Sequence, residues 1–201
     1  MKHVLGYLGI GMVIGLSLLF LGSKLIPQNY TFQGSLIDPP VPASDFDLID
    51  QNQDSFRLSD QKGKVVLIFF GYTNCPDVCP VTLSEFKQIK NKLGDSANEV
   101  RFVYITVDPE RDTTERMRLY ISNFDPSFIG LTSDRETLEE VWKDYGVYQT
   151  RQDLGSAAGY LIDHTARIYA IDKDGNWRLT YPFGMEIEKL VEDINYLVQE
   201  K

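Results

Sequence analysis

Cysteine and histidine are scarce in this chain, and the scarcity narrows its chemistry. Among 201 residues there are two cysteines, Cys75 and Cys79. Two are too few for a disulfide scaffold, and a lone pair this close in sequence is functional rather than structural. There are two histidines, His3 and His164. Basic residues are in deficit: 20 Lys and Arg stand against 29 Asp and Glu, a net charge of −9. They form no basic stripe with the aromatic residues, which excludes nucleic acid as a partner, since phosphate binding needs a basic surface. Internal repeats and low-complexity tracts are missing. What remains is a globular composition, 43% hydrophobic and 24% charged, long enough for one domain with its own core plus an appendage.

The chain is organised around Phe69-Phe70-Gly71-Tyr72-Thr73-Asn74-Cys75-Pro76-Asp77-Val78-Cys79-Pro80. Val65-Val66-Leu67-Ile68-Phe69-Phe70 leads into it, and a short apolar run of this kind predicts a buried strand. Beyond it, Leu83, Phe86, Ile89 and Leu93 recur at helical spacing and Gly94 supplies a stop. Pro80 suits a first helical turn. The cysteines therefore stand where a strand hands over to a helix, and a helix start stabilises an anionic sulfur. Four residues apart on a helical turn, two side chains share a face. Such a pair closes a disulfide after a modest adjustment or holds one soft metal ion. Dithiol redox chemistry and soft-metal binding both stay open on these residues, with inert core packing as the bland alternative.

Residues 4–23 carry no charge, with Lys2 and Lys24 at their edges. As a helix they would span about 30 Å, the thickness of a bilayer core. Phe20-Leu21-Gly22-Ser23 is a poor cleavage site and no cysteine follows for lipoprotein processing, so residues 1–24 are expected to be an uncleaved membrane anchor. The flanking charges lean toward a cytoplasmic N-terminus, placing the domain outside the cytoplasm of a single-pass protein. Residues 25–44, with Pro27, Pro39, Pro40 and Pro42, read as a semi-rigid spacer. Residues 45–201 then form the functional domain.

Within that domain, Asp45-Phe46-Asp47-Leu48-Ile49 and Ser55-Phe56-Arg57-Leu58 predict a hairpin. Residues 100–107 predict a second strand, closed by Asp108-Pro109. A helix capped by Asp112 or Thr113 follows, then one opened by a Ser133–Glu136 capping box. Tyr160-Leu161-Ile162 and residues 167–171 predict strands, Asp174-Gly175 a hairpin turn, and residues 185–198 a last helix. The predicted class is α/β, a central mixed sheet flanked by helices with an N-terminal hairpin and an N-terminal transmembrane helix. A cysteine pair at its first strand-to-helix turn is the layout of a thioredoxin-like fold.

His164 is the histidine outside the N-terminal segment, at the end of a predicted strand. An imidazole added to two thiolates gives an N,S,S set suited to Cu(I), with Zn(II) the main rival. The alternative is a loop histidine paired with Asp163 or water.

Phe70-Gly71-Tyr72-Thr73-Asn74-Cys75-Pro76-Asp77-Val78-Cys79-Pro80, then Thr106-Val107-Asp108-Pro109-Glu110-Arg111-Asp112-Thr113, then Asp163-His164 resemble the SCO/SenC/PrrC family. These are membrane-anchored, thioredoxin-like copper proteins of cytochrome c oxidase assembly. The resemblance implies that Cys75, Cys79 and His164 bind copper, as Cu(I) or Cu(II). It implies delivery to the CuA centre of oxidase subunit II, with a copper donor or a thiol reductant as further partners. The alternative it carries is a thiol–disulfide reductase keeping that subunit's cysteines reduced. A metallochaperone is favoured over a turnover enzyme. Asp108 reads as structural and Asp77 as solvated, a hard carboxylate being a poor match for Cu(I). C-x-x-x-C replaces the C-x-x-C of ordinary thioredoxins, and no proline stands in Ser156-Ala157-Ala158-Gly159. Both departures weaken the case for a general oxidoreductase.

Overall fold

The computed structural model describes residues 30–156 and 159–200, with the side chains of Leu154 and Ser156 left out. The anchor expected over residues 1–24 and the first part of the spacer lie outside them. Among the described residues no helix is long and apolar enough to cross a membrane.

The centre of the molecule is β4 (Val65–Gly71), whose seven residues are all buried. It runs parallel to β5 (Val100–Thr106) and antiparallel to β9 (Arg167–Ile171). Beyond β5 come β6 (Ile129–Thr132) and the hairpin of β2 (Asp47–Asp50) and β3 (Ser55–Arg57). Beyond β9 come β10 (Asn176–Pro182) and β1 (Ser35–Pro42). The eight strands order as β1-β10-β9-β4-β5-β6-β2-β3, a mixed sheet.

Helix α1 (Val78–Leu93) follows β4 and stops at Gly94, whose φ of 57° is one that glycine takes without strain. Its Phe86 packs edge-on against Phe102 of β5 and Phe128. Helix α2 (Thr114–Ser122) lays Met117 and Ile121 over Gly130 of β6. Helix α3 (Arg135–Asp144) serves the opposite face of the sheet: Tyr145, at its end, meets Phe70 and Tyr169. Phe69 and Phe70 are neighbours on a strand and so point to opposite faces. Helix α4 (Ile187–Gln199) buries Leu190, Ile194 and Leu197, and also Asp193. Asp193 accepts the backbone N–H groups of Gln33 (3.0 Å) and Gly34 (2.8 Å), which is what permits a carboxylate there.

The structure corrects three local expectations and decides between the two caps offered for α2. Ser35–Pro42, inside the stretch read as a spacer, is strand β1 on β10. Prolines are tolerated there because it is an edge strand, and its register breaks between Leu36 and Val41, where Pro39 and Pro40 stand. The cap of α3 is Asp134, accepting from the Thr137 N–H at 2.9 Å, not Ser133. The cap of α2 is Thr113, which frees Asp112 for another task. Finally, β8 (Gly159–His164) is not in the main sheet: it pairs with β7 (Gln149–Ser156), a strand the sequence did not reveal, as a separate two-stranded ribbon. Strand β9, starting three residues after His164, is the one beside β4.

Candidate metal centre

Both cysteines sit just past the end of β4. Cys75 is half-buried in the turn and Cys79 is fully buried in the first turn of α1. Both thiols are free, and the Cys79 N–H points at the Cys75 sulfur at 3.4 Å. The ribbon brings in His164, whose Nε2 lies 3.5 Å from the Cys79 sulfur. One ligand atom from each of Cys75, Cys79 and His164 falls within 4.8 Å of the others. That group contains no carboxylate, and Asp77 is exposed.

The imidazole is oriented for ligation. Its Nδ1 lies 3.1 Å from the Thr165 carbonyl. A carbonyl only accepts, so Nδ1 carries the proton and Nε2 presents its lone pair to the sulfurs. The ring is held edge to face by Phe69 (6.0 Å) and Tyr72 (5.8 Å). The Tyr72 hydroxyl also accepts the Ile162 N–H at 3.2 Å, tying β8 to the cysteine turn.

The two sulfurs are electrostatically unequal. The Cys79 thiol first, then the His164 side chain and the N–H groups of Cys79 and Asp77, hold the Cys75 thiol down at about 4 despite partial burial. Burial, and then the neighbouring Cys75 sulfur, push the Cys79 thiol far up. Cys75 is thus the resident thiolate at neutral pH, and Cys79 keeps its proton, with the Cys75 sulfur and His164 Nε2 as acceptors within reach. Alkylation should therefore be one-sided. At pH 6, iodoacetamide is expected to label Cys75 alone, at a rate flat from about pH 6 to 8, because its thiolate fraction does not change there. Mass mapping checks this; a label on Cys79, or a rate rising tenfold per pH unit, would contradict it.

Two buried aspartates build the frame. Asp112 accepts the Thr73 N–H (3.0 Å), the Thr73 hydroxyl (2.6 Å) and the Thr106 hydroxyl (2.7 Å), pinning the turn before Cys75 to the end of β5. Arg116 adds a bond to the Asn74 side chain at 2.7 Å. Asp108, fully buried, pairs with Arg111 and accepts from the Tyr160 hydroxyl at 2.6 Å. Arg111 also bonds the Tyr160 carbonyl at 2.9 Å, and the Tyr160 ring lies between the Arg111 and Arg151 guanidiniums at 3.6 and 3.7 Å. Asp108 therefore does not join the donor group; it anchors the strand that carries His164. A shallow cleft of about 260 Å³ between Pro76 and Val78 on one side and Leu161 and Ala166 on the other opens beside Cys75 and His164.

Three donors, two sulfur and one imidazole nitrogen, match a soft, low-coordinate ion. Structural zinc takes four ligands, and a fourth protein donor is missing from this group.

The SCO1/SenC family profile matches residues 37–199. An SCO2-like protein of Rickettsia prowazekii is 36% identical over 148 residues, covering 73% of this chain and 72% of that protein. Bradyrhizobium japonicum ScoI, solved with copper bound, superposes with a TM-score of 0.72 at 38% identity, over 78% of this chain and 99% of that one. Yeast Sco1, also solved with copper bound, superposes with a TM-score of 0.72 at 29% identity, over 81% and 91%. The fold is the thioredoxin-like α/β fold of those structures. This chain belongs to the SCO1/SenC family.

Proposed function

We propose that this protein binds one copper ion through Cys75, Cys79 and His164 and serves as an assembly factor for cytochrome c oxidase. The observation that carries the reading is the convergence of two sulfurs and an oriented imidazole nitrogen within 4.8 Å. Copper in two of the related structures supports the choice of metal. The oxidase connection rests on the family resemblance, and its finer form is delivery to the CuA centre of subunit II. Residues 1–24 would anchor the domain at a membrane, on its extracytoplasmic side.

The cleft suits transfer by ligand exchange. Cys75 and His164 line its floor while Cys79 lies behind them, so an incoming client thiolate meets the two outer donors first. Thiol–disulfide exchange with an incoming disulfide, which accepts the two electrons and leaves as two thiolates, closes the Cys75–Cys79 disulfide, removes both ligands and releases the ion.

The inequality of the two sulfurs supports a second reading, thiol–disulfide reduction of the client. There the Cys75 thiolate attacks a client disulfide, forming a mixed disulfide and expelling one client thiolate. Cys79, losing its proton to His164 or water, then displaces the second client thiolate and closes Cys75–Cys79. The two readings separate at His164→Ala. Copper delivery predicts about tenfold or greater weakening of Cu(I) binding, as for loss of an interaction worth about 1.4 kcal/mol or more, measured by chelator competition under anaerobic conditions. Unchanged Cu(I) affinity in His164→Ala, with client reduction intact, would favour the reductase.

A further inference from the structure

Next to Cys79 the molecule buries a hydroxyl with nothing to bond. Tyr104 of β5 is fully buried, and its hydroxyl has no hydrogen-bond partner among the described residues. Native interiors hold few such groups, and each costs about 1–3 kcal/mol. Its location gives it a use. The point where a Gly71 side chain would begin is 2.7 Å from the Tyr104 oxygen and 2.8 Å from the Cys79 sulfur. The bare α-carbon of Gly71 is thus the gap across which hydroxyl and sulfur face each other. Rings of Phe69 and Tyr120, each 6.0 Å away, hold Tyr104 in that orientation.

A protonated thiol is a weak acceptor, whereas a thiolate draws short, charge-assisted hydrogen bonds. A protonated Cys79 offers the phenol little across that gap. As a metal ligand, Cys79 loses that proton to solvent and its sulfur becomes an acceptor beside a donor already in place. We propose that Tyr104 is a positioning residue that donates its O–H to the Cys79 sulfur in the copper-bound state and so stabilises a thiolate buried away from water. The phenol keeps its own proton throughout. This inference rests on the copper reading above and adds a residue to it. The unpaired hydroxyl of the metal-free protein is then the cost of a site built for its loaded form.

Tyr104→Phe in the full chain tests it, because it removes one oxygen and keeps the ring. Three results are expected. The metal-free variant melts at the same temperature as the parent or higher, since an unpaired buried hydroxyl has gone. Cu(I) affinity by chelator competition falls about tenfold, or about 1.4 kcal/mol. The Cu(II)–thiolate charge-transfer band moves to longer wavelength, because an unbonded sulfur releases its electrons more easily. Equal affinity with an unmoved band would overturn the proposal. A melting temperature that falls together with the affinity, with the band unmoved, would also overturn it and make Tyr104 a packing residue. Failure of the parent chain to take up copper would overturn the copper reading itself, and the parent titration reveals that outcome separately.

Discussion

Cys79→Ser is expected to abolish stoichiometric copper. A serine hydroxyl is a hard, neutral donor in place of a soft thiolate, and Cys79 is one of the three candidate ligands grouped among the described residues. The loss should exceed the 10–100-fold typical of removing a partner outside the ligand set. Fold stability should change little, because Ser and Cys are near in size and the hydroxyl can donate to His164 Nε2 as the thiol does. Cys75→Ser should lose copper equally but leave a surface closer to neutral, since Cys75 carries the thiolate in the metal-free protein. Metal analysis after gel filtration measures the first effect and thermal unfolding of the metal-free form the second. Copper retained at one per chain in Cys79→Ser would refute the assignment.

Gly71→Ala is expected to damage fold and site together. Gly71 ends the central strand in a buried position, and its backbone does not demand glycine; the space does. A methyl there would lie 2.7 Å from the Tyr104 hydroxyl, 2.9 Å from that ring and 2.8 Å from the Cys79 sulfur. None of these is the loose end of a flexible chain: Tyr104 is wedged in the sheet and Cys79 is fixed in α1. Overpacking of this kind costs about 1–3 kcal/mol. Displacing Cys79 by even a few tenths of an ångström would also open the three-donor group. Chemical unfolding should show the stability loss, and Cu(I) titration a weaker site. A variant with parental stability and affinity would mean that the strand end yields more readily than its burial indicates.

The contrast between Gly71 and Cys75 shows what a sequence of this kind reveals. The apolar run of β4, the helical spacing of Leu83, Phe86, Ile89 and Leu93, and the cysteines between them are local signals, so strand, helix and sulfur pair could be read directly. The Asp174-Gly175 turn and its hairpin were legible for the same reason. His164 was a candidate because histidine is rare; its orientation by Thr165, Phe69 and Tyr72 is tertiary and left no local trace. Strand β7 was hidden because Gln149, Thr150, Arg151, Gln152 and Asp153 show no apolar alternation. What fixes the ribbon is the Tyr160 stack between Arg151 and Arg111 and its bond to Asp108, and the contacts to Arg111 and Asp108 reach across about 50 residues. Strand β1 was hidden by its prolines, which an edge position accommodates. Asp112 read as a candidate helix cap and nothing local marks Asp193, whereas their burial follows from backbone N–H groups that arrive from distant segments. Gly71 gave no sign at all, because the need for it is set by Tyr104 and Cys79 jointly.

X-ray absorption at the copper edge on the Cu(I)-loaded full chain, beside His164→Ala, counts the three ligands. A three-coordinate ion with two sulfur scatterers and one nitrogen scatterer is expected, with loss of the nitrogen in the variant. A parent spectrum with sulfur alone, or one that His164→Ala leaves unchanged, would contradict the three-ligand site.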